Sequence, residues 1–211
     1  MKPSFARNNW IYLRGVGKMY LHHPTFKKWF RYITTKYKVP KNKEYLLLIP
    51  CAWGKPYSQS YIHYLIIQEL SKLPFYKKIH QVIMSNAGII PREFEEDYPF
   101  MSYDWNPIYE TEETKKMYLE VTKKRILKYL ERHAKDYKKV FIYFRRESEE
   151  EEAAVKACEK LNLDYTICLS KKTFQNLDQK DYTDWDQVLI EKTSLRDLIK
   201  SIRRKTKNGR E

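Results

Sequence analysis

Residues 45–63 read YLLLIPCAWGKPYSQSYIH. The stretch opens with an apolar run, Tyr45 to Ile49, whose length is typical of a strand buried on both faces. From about Ser58 to Leu73 apolar residues recur at helical spacing, and Ser58 is placed to cap that helix. Between the two lies a turn that contains a thiol, an amine, a phenol, hydroxyls and an imidazole. Such a strand-to-helix turn favours an α/β fold with its active site at this point.

The rest of the chain continues to alternate short apolar runs with amphipathic segments. Further strands are predicted at 81–84, 140–144 and 165–169, and helices at 25–38, 112–137, from about 147, and 193–205. Parallel neighbours need crossover helices, so the pattern predicts an α/β fold of three α/β/α layers with a mainly parallel sheet. We expect a basic aromatic segment (1–43) packed on the core, an α/β core with the active-site loops (44–170), and a connector with a basic C-terminal helix (171–211).

The positive charge is concentrated at the two ends of the chain. The net charge is +14; residues 1–43 hold eleven Lys or Arg and no acid, and residues 192–211 hold eight against two acids. A polyanion suits this distribution, because each neutralised phosphate releases counterions. The alternative is a merely solvated surface, which usually mixes its signs. The cations that we expect to contact a nucleic acid are Lys27, Lys28, Arg31, Arg203 and Arg204.

The three cysteines, Cys51, Cys158 and Cys168, form no CxxC pair and no set with His at metal-binding spacing. We therefore expect no structural metal. The chain has no recognisable signal peptide and no apolar run of about 18 residues, so we expect a cytoplasmic protein that does not enter a membrane.

The first polar turn offers three candidate features, each with a structural alternative. Backbone N–H groups and Lys55 are placed to lower the pKa of Cys51 and favour its thiolate, although a lone cysteine is often a small buried apolar residue. The tripeptide Lys55-Pro56-Tyr57 is suited to gripping a planar or anionic group, or serves as a structural turn. Ser60 and His63, three residues apart, share a helix face and are able to meet one ligand.

A second polar loop follows the predicted strand at 81–84. Asn86 is suited to reading a base edge, and Gly88 permits close backbone approach. Arg92 and Glu93 are candidates for ligand binding or form a surface ion pair. Asp104 lies between two aromatic residues, where loss of water raises a carboxyl pKa towards the range needed for a base.

Taken together, the two loops resemble the core domain of the archaeosine synthase family, archaeal tRNA-modifying enzymes related to tRNA-guanine transglycosylases. The first loop matches that family's signature at seven positions: Pro50, Cys51, Lys55, Pro56, Tyr57, Ser60 and His63. The second loop is similar to it over Gly88 to Phe94 and at Tyr103-Asp104. Members of the family also carry a transglycosylase-like region and an RNA-binding PUA domain, so we expect a short stand-alone form here.

The resemblance implies a fold similar to uracil-DNA glycosylases and a transferase that adds free lysine to the nitrile of 7-cyano-7-deazaguanine in tRNA. No cofactor is implied for this chain; a radical S-adenosylmethionine partner acts on the lysine adduct. The basic ends then contact the tRNA.

In this hypothesis Cys51 attacks the nitrile, and His63 and Asp104 move protons. The remaining candidates bind substrate: Lys55, Pro56, Tyr57, Ser60, Asn86, Gly88, Arg92 and Glu93. A variant has Cys51 only shaping the pocket. Two other functions stay open, a tRNA-binding subunit without chemistry and a glycosylase-like hydrolase of a base, and the sequence does not determine the oligomeric state.

Overall fold

A five-stranded sheet forms the centre of the computed structural model, which describes residues 10–177, 182 and 184–207. Its strands are β2 (Tyr45–Pro50), β3 (Ile79–Ser85), β4 (Gly88–Pro91), β6 (Lys139–Ile142) and β7 (Tyr165–Ile167). Their order is β4-β3-β2-β6-β7; β4 alone runs antiparallel, as the return of a hairpin from β3. Leu46 to Ile49 are completely buried, as the unbroken apolar run predicts.

Helices cover both faces of the sheet, which confirms the predicted three-layer α/β/α fold. One layer holds α1 (Lys18–Leu21), α2 (Pro24–Thr35), α4 (Glu112–His133) and α5 (Glu149–Lys160). The other holds α3 (Tyr61–Ser71), α6 (Lys171–Leu177), a 3-10 turn at Trp185–Ile190 and α7 (Lys192–Lys207). A separate two-stranded ladder pairs β1 (Leu13–Arg14) with β5 (Tyr103–Asp104) in parallel.

The chain reverses its direction of progress across the sheet between β2 and β6. From β2 it crosses through α3 to β3, whereas from β6 it crosses through α5 to β7 on the other side. Because parallel crossovers are right-handed, α3 and α5 lie on opposite faces. The carboxyl ends of β2 and β6 therefore border a crevice, the usual ligand site of such sheets.

Several predicted boundaries need correction. The helix after the first polar turn begins at Tyr61 rather than Ser58, because Tyr57–Gln59 forms a 3-10 turn and Ser60 is the N-cap, its hydroxyl accepting from the His63 N–H at 3.3 Å. The region 171–191, expected as a connector, contains α6 and the Trp185–Ile190 turn. The first nine residues of the expected N-terminal segment and residues 208–211 of the C-terminal one lie outside the described ranges.

The terminal elements share the core of the sheet. Phe26, Trp29 and Ile33 of α2 are buried in the same apolar cluster as Leu198 and Ile202 of α7. Across the described ranges, no helix combines the length and the apolar character that crossing a membrane requires.

Replacing Leu198 with alanine tests whether α7 is part of this core. Leu198 is fully buried, so Leu198→Ala should lower the free energy of unfolding in urea by about 2–5 kcal/mol. Lys200→Ala, one turn from it on an exposed face, should change it by less than about 0.5 kcal/mol. Equal effects of the two substitutions would mean that α7 does not contribute to the core.

Candidate active site

The candidate pocket lies at the carboxyl end of β2. Cys51 follows the last residue of that strand and remains partly exposed. Two buried phenols, Tyr57 and Tyr103, meet beside it through their hydroxyl groups, and the hydroxyl of Ser85 at the end of β3 hydrogen-bonds both. Residues from the first loop, β3 and β5 thus converge on one thiol.

The environment of Cys51 differs from the thiolate that the sequence predicted. Loss of water around the sulfur raises the pKa of Cys51 to about 12, and the nearby charge of Lys55 opposes that rise without cancelling it. Glu150 and Asp186 raise the pKa further. The expectation of a lowered pKa is therefore wrong, because desolvation outweighs the lysine, and the resting group is a protonated thiol.

Lys55 is held over the two phenols. Its Nζ lies 4.3 Å from the centroid of the Tyr57 ring and 4.7 Å from that of Tyr103, and it donates to the Ala52 carbonyl oxygen. Burial lowers the pKa of Lys55, while the charges of Cys51 and Asp104 act to raise it. The cation is thus fixed beside the thiol by cation–π contacts and one hydrogen bond.

His63 and Ser60 are built into the scaffold of the pocket. The His63 Nε2 lies 3.0 Å from the Pro50 carbonyl oxygen, and its Nδ1 lies 2.8 Å from Nη2 of Arg92. Since a guanidinium only donates, Nδ1 accepts and Nε2 carries the hydrogen that bonds Pro50. Burial, followed by the charge of Arg92, pushes the pKa of His63 well below its usual value. This geometry commits both nitrogens and favours a positioning role; proton transfer by His63 stays a prediction.

Arg92 joins the two polar loops. Besides His63, its guanidinium donates to Gln81 Oε1 at 2.7 Å and to Glu95 Oε2 at 2.7 Å. The same Glu95 oxygen accepts the backbone N–H of Ser58 at 3.0 Å. Arg92 and Glu93, considered as a surface pair from the sequence, do not pair with each other; the ion pair is Arg92–Glu95.

Glu93 lies away from Cys51. Its carboxylate accepts from the hydroxyl of Tyr37 and lies 3.1 Å from Nε2 of His80. Although burial opposes it, the hydrogen bonds from His80 and Tyr37 lower the pKa of Glu93. His80 is near the amino end of β3, five residues from Ser85, a separation of about 17 Å along a strand. The structure therefore does not bring Glu93 to the pocket.

Asn86 and Gly88 form the turn of the β3–β4 hairpin. The carbonyl oxygen of Asn86 accepts from Nη1 of Arg125 at 2.7 Å. Gly88 has φ +143°, and a Cβ there would lie 3.5 Å from Cδ1 of Trp29. The close approach that glycine permits is thus to the α2 indole rather than to an open pocket.

Asp104 reaches the same pocket from β5. Its Oδ2 lies 3.8 Å from Nε of Arg14 on the paired strand, and its charge acts on Lys55. A carboxylate flanked by two cations is stabilised in its ionised form, which differs from the predicted neutralising effect of its aromatic neighbours.

Two carboxylates near Cys51 were not identified from the sequence. Glu150, in the first turn of α5 after β6, accepts from the hydroxyl of Tyr118 at 2.6 Å, and burial raises its pKa. Burial, together with the charge of Glu150, raises the pKa of Asp186 to about 7. Glu150 opens an acidic run after a central strand, a usable signal, whereas Asp186 stands in a region that looked like a connector.

The cations predicted to bind nucleic acid are exposed but divided between the two helical layers. Lys27, Lys28 and Arg31 lie on α2, and Arg203 and Arg204 lie on α7 across the sheet. They do not form one continuous surface. Among the described residues, no three His, Cys, Asp or Glu side chains are grouped closely enough to hold a metal ion.

Residues 26–181 match a family whose description is a domain of unknown function, DUF5591. The chain belongs to the DUF5591 family. This match spans the α/β core together with most of α2, and so includes both polar loops.

Three curated proteins similar to this DUF5591 chain are all named archaeosine synthase subunit alpha. The protein of Methanosarcina acetivorans is 34% identical over 141 residues, which are 65% of this chain and 21% of that protein. Those of Thermoplasma acidophilum and Thermococcus kodakarensis are 38% identical over 85 residues and 35% identical over 78 residues, covering 40% and 36% of this chain and 16% and 14% of their own. The chain thus spans about a fifth or less of these relatives, and the similarity confirms the predicted relation to archaeosine synthase.

A crystal structure of AF0587, a protein of unknown function, is similar to this DUF5591 chain with a TM-score of 0.48 and 18% identity, over 77% of this chain and 54% of the other.

Arg92→Ala tests the connection between the loops. It leaves the Glu95 carboxylate, which is 7% exposed, without its cation and removes the donor to His63, so the free energy of unfolding in urea should fall by about 3 kcal/mol. Arg31→Ala, an exposed arginine on α2, is the control and should change it by less than about 0.5 kcal/mol. A loss below about 1 kcal/mol for Arg92→Ala would contradict the proposed bridge.

Proposed function

We propose that this domain carries the site at which lysine is added to the nitrile of 7-cyano-7-deazaguanine in tRNA, a step in archaeosine formation. The observation that carries the proposal is the partly exposed Cys51 thiol in the crevice between β2 and β6, with a lysine and phenols on one side and two carboxylates on the other. The three relatives named archaeosine synthase subunit alpha support the same reaction class.

In the covalent mechanism the Cys51 sulfur bonds to the nitrile carbon, and the thiol proton ends on the nitrile nitrogen. The product is a thioimidate. The deprotonated side-chain amine of lysine then bonds to the same carbon, the C–S bond breaks, and the proton lost by the amine returns to sulfur. The final amidine keeps the carbon joined to the base. Each step requires close alignment of the reacting atoms and a group that moves protons.

The pocket offers groups suited to these proton transfers. A thiol with a pKa of about 12 needs a base before it attacks. Asp186, with its pKa raised to about 7, is close to the ideal for general base catalysis near neutral pH. Lys55 stands where a developing negative charge on sulfur or nitrile nitrogen is stabilised. Asp104 remains the predicted alternative base, and Tyr57 the predicted contact to the base ring.

The partners in this proposal are tRNA, free lysine and a radical S-adenosylmethionine enzyme that acts on the lysine adduct. The chain itself needs no cofactor for amine addition, since the nitrile is already an electrophile.

One observation favours the variant in which Cys51 forms a wall of the pocket. Its raised pKa keeps the thiol protonated, and a protonated thiol is a poor nucleophile. In that case Asp186 or Asp104 deprotonates lysine, which attacks the nitrile directly. A tRNA-binding subunit without chemistry is the remaining alternative, and the assay below distinguishes it.

Cys51→Ser separates these possibilities. With labelled lysine and tRNA that bears the nitrile, the covalent mechanism predicts a loss of at least about 100-fold in incorporation, because a hydroxyl is far harder to deprotonate than a thiol. Cys158→Ser, at a buried cysteine on α5, should leave kcat unchanged if the variant folds. Full incorporation by Cys51→Ser would exclude the covalent step, and tRNA binding without incorporation by the unaltered protein would favour the non-catalytic subunit.

The pH profile tests Asp186 as the base. Because only the ionised carboxylate accepts a proton, kcat should rise with pH through about 7, the raised pKa of Asp186. Asp186→Asn should lower kcat and remove that rise, while Asp184→Asn, at an exposed neighbouring carboxylate, should preserve it. An unchanged profile in Asp186→Asn would assign the base to another group.

A further inference from the structure

A basic groove lies between α3 and α7 on one face of the sheet. It encloses about 800 Å³. Five of its lining side chains are cations, all from α7: Lys192, Arg196, Lys200, Arg203 and Arg204. Leu195 and Ile199 form an apolar floor. The groove therefore combines a strip of apolar surface with a row of positive charge.

The charges follow the geometry of the helix. Positions 192, 196, 200 and 203 or 204 recur at three- and four-residue intervals and so lie on one side of α7. At 1.5 Å per residue the row is about 18 Å long. Leu198 and Ile202 are buried on the other side of the helix, which fixes the cationic side outward.

Little negative charge opposes this row. Glu69 of α3 is the one acid in the lining, and its carboxylate lies 2.5 Å from Nζ of Lys72. None of the ion pairs found within the described ranges includes a cation of the groove. Adjacent unneutralised cations repel one another, so the groove gains most from a partner with repeated negative charge.

Both walls of the groove lead to the Cys51 pocket. Helix α3 begins at Tyr61, directly after the turn that holds Cys51 and Lys55, and α7 follows the Trp185–Ile190 turn that holds Asp186. Large aromatic side chains stand exposed at these same points: Trp53 (63%), Tyr61 (70%), Tyr64 (55%) and Trp185 (53%). Exposed rings next to a cationic track are typical of surfaces on which unpaired bases stack.

We propose that the groove between α3 and α7 binds the phosphate backbone of the RNA whose base enters the Cys51 pocket, with the exposed aromatic side chains stacking on neighbouring bases. The inference rests on the proposed function for the identity of that RNA, but the binding itself is independent of the chemistry. It also distinguishes α7 from α2, whose exposed cations Lys27, Lys28 and Arg31 lie across the sheet from the groove.

The test measures the affinity for unmodified tRNA transcript by fluorescence anisotropy across a range of salt concentrations. The variant carries Arg196→Glu, Lys200→Glu and Arg203→Glu. Its matched control carries Lys116→Glu, Lys124→Glu and Arg132→Glu, three exposed cations of α4 in the opposite helical layer. Both change the net charge equally. The groove variant should lose about three units from the slope of log K against log salt, about one per phosphate contact, and the control should lose less than one.

A second variant guards against misfolding. Arg196→Gln, Lys200→Gln and Arg203→Gln remove the charges without adding repulsion, and should reduce the slope by the same amount while thermal unfolding stays as in the unaltered protein. Equal loss in the groove variant and the α4 control would mean that only net charge matters. An unchanged slope in both groove variants would also overturn the proposal and would leave the groove to an acidic protein partner.

Lysine incorporation, measured on the same proteins, distinguishes the two proposals. A protein that binds RNA through the groove but incorporates no lysine would refute the proposed function alone. A groove variant that keeps full tRNA affinity and incorporates lysine would refute the groove alone.

Discussion

The structure depends on the point where two parallel strands are followed by crossovers in opposite directions. Right-handed crossovers carry the chain from β2 to one face and from β6 to the other, so no connection covers the carboxyl ends of these neighbouring strands. Cys51 extends β2 into this crevice, and Glu150 enters it from the helix that follows β6. The thiol and its surrounding charges therefore follow from topology, and the two loops supply the side chains.

Keeping a thiol, a lysine and carboxylates in a poorly hydrated crevice requires firm support. Arg92 supplies part of it, since one guanidinium orients His63, Gln81 and Glu95, and through Glu95 holds the turn at Ser58. The result is a set of polar groups whose pKa values diverge, with the thiol and the acids raised and the lysine lowered. Groups whose protonation is poised in this way are typical of sites that move protons.

The sequence predicted those features that depend on local pattern. The apolar run of β2, the polar turn after it and the helix at 112–133 were predicted because periodicity and burial are encoded within a few residues. The helix start was wrong by a few residues because Glu95, distant in sequence, binds the Ser58 N–H and leaves Ser60 to cap α3.

Side chains that meet only in the fold were beyond the reach of pattern. Glu150 and Asp186 stand 99 and 135 residues after Cys51 in the numbering, and neither has a spacing that links it to the first loop. The lowered pKa expected for Cys51 was wrong for a related reason, since the helix and lysine are local but the degree of desolvation is set by the whole fold.

The central claim is that the crevice at Cys51 receives the nitrile-bearing base. The most direct measurement is a crystal structure of this protein with 7-cyano-7-deazaguanine. The account predicts the base against Tyr57 and Tyr103, with its nitrile carbon in contact with, or bonded to, the Cys51 sulfur. A base bound elsewhere, or a nitrile directed away from Cys51, Lys55 and Asp186, would contradict it.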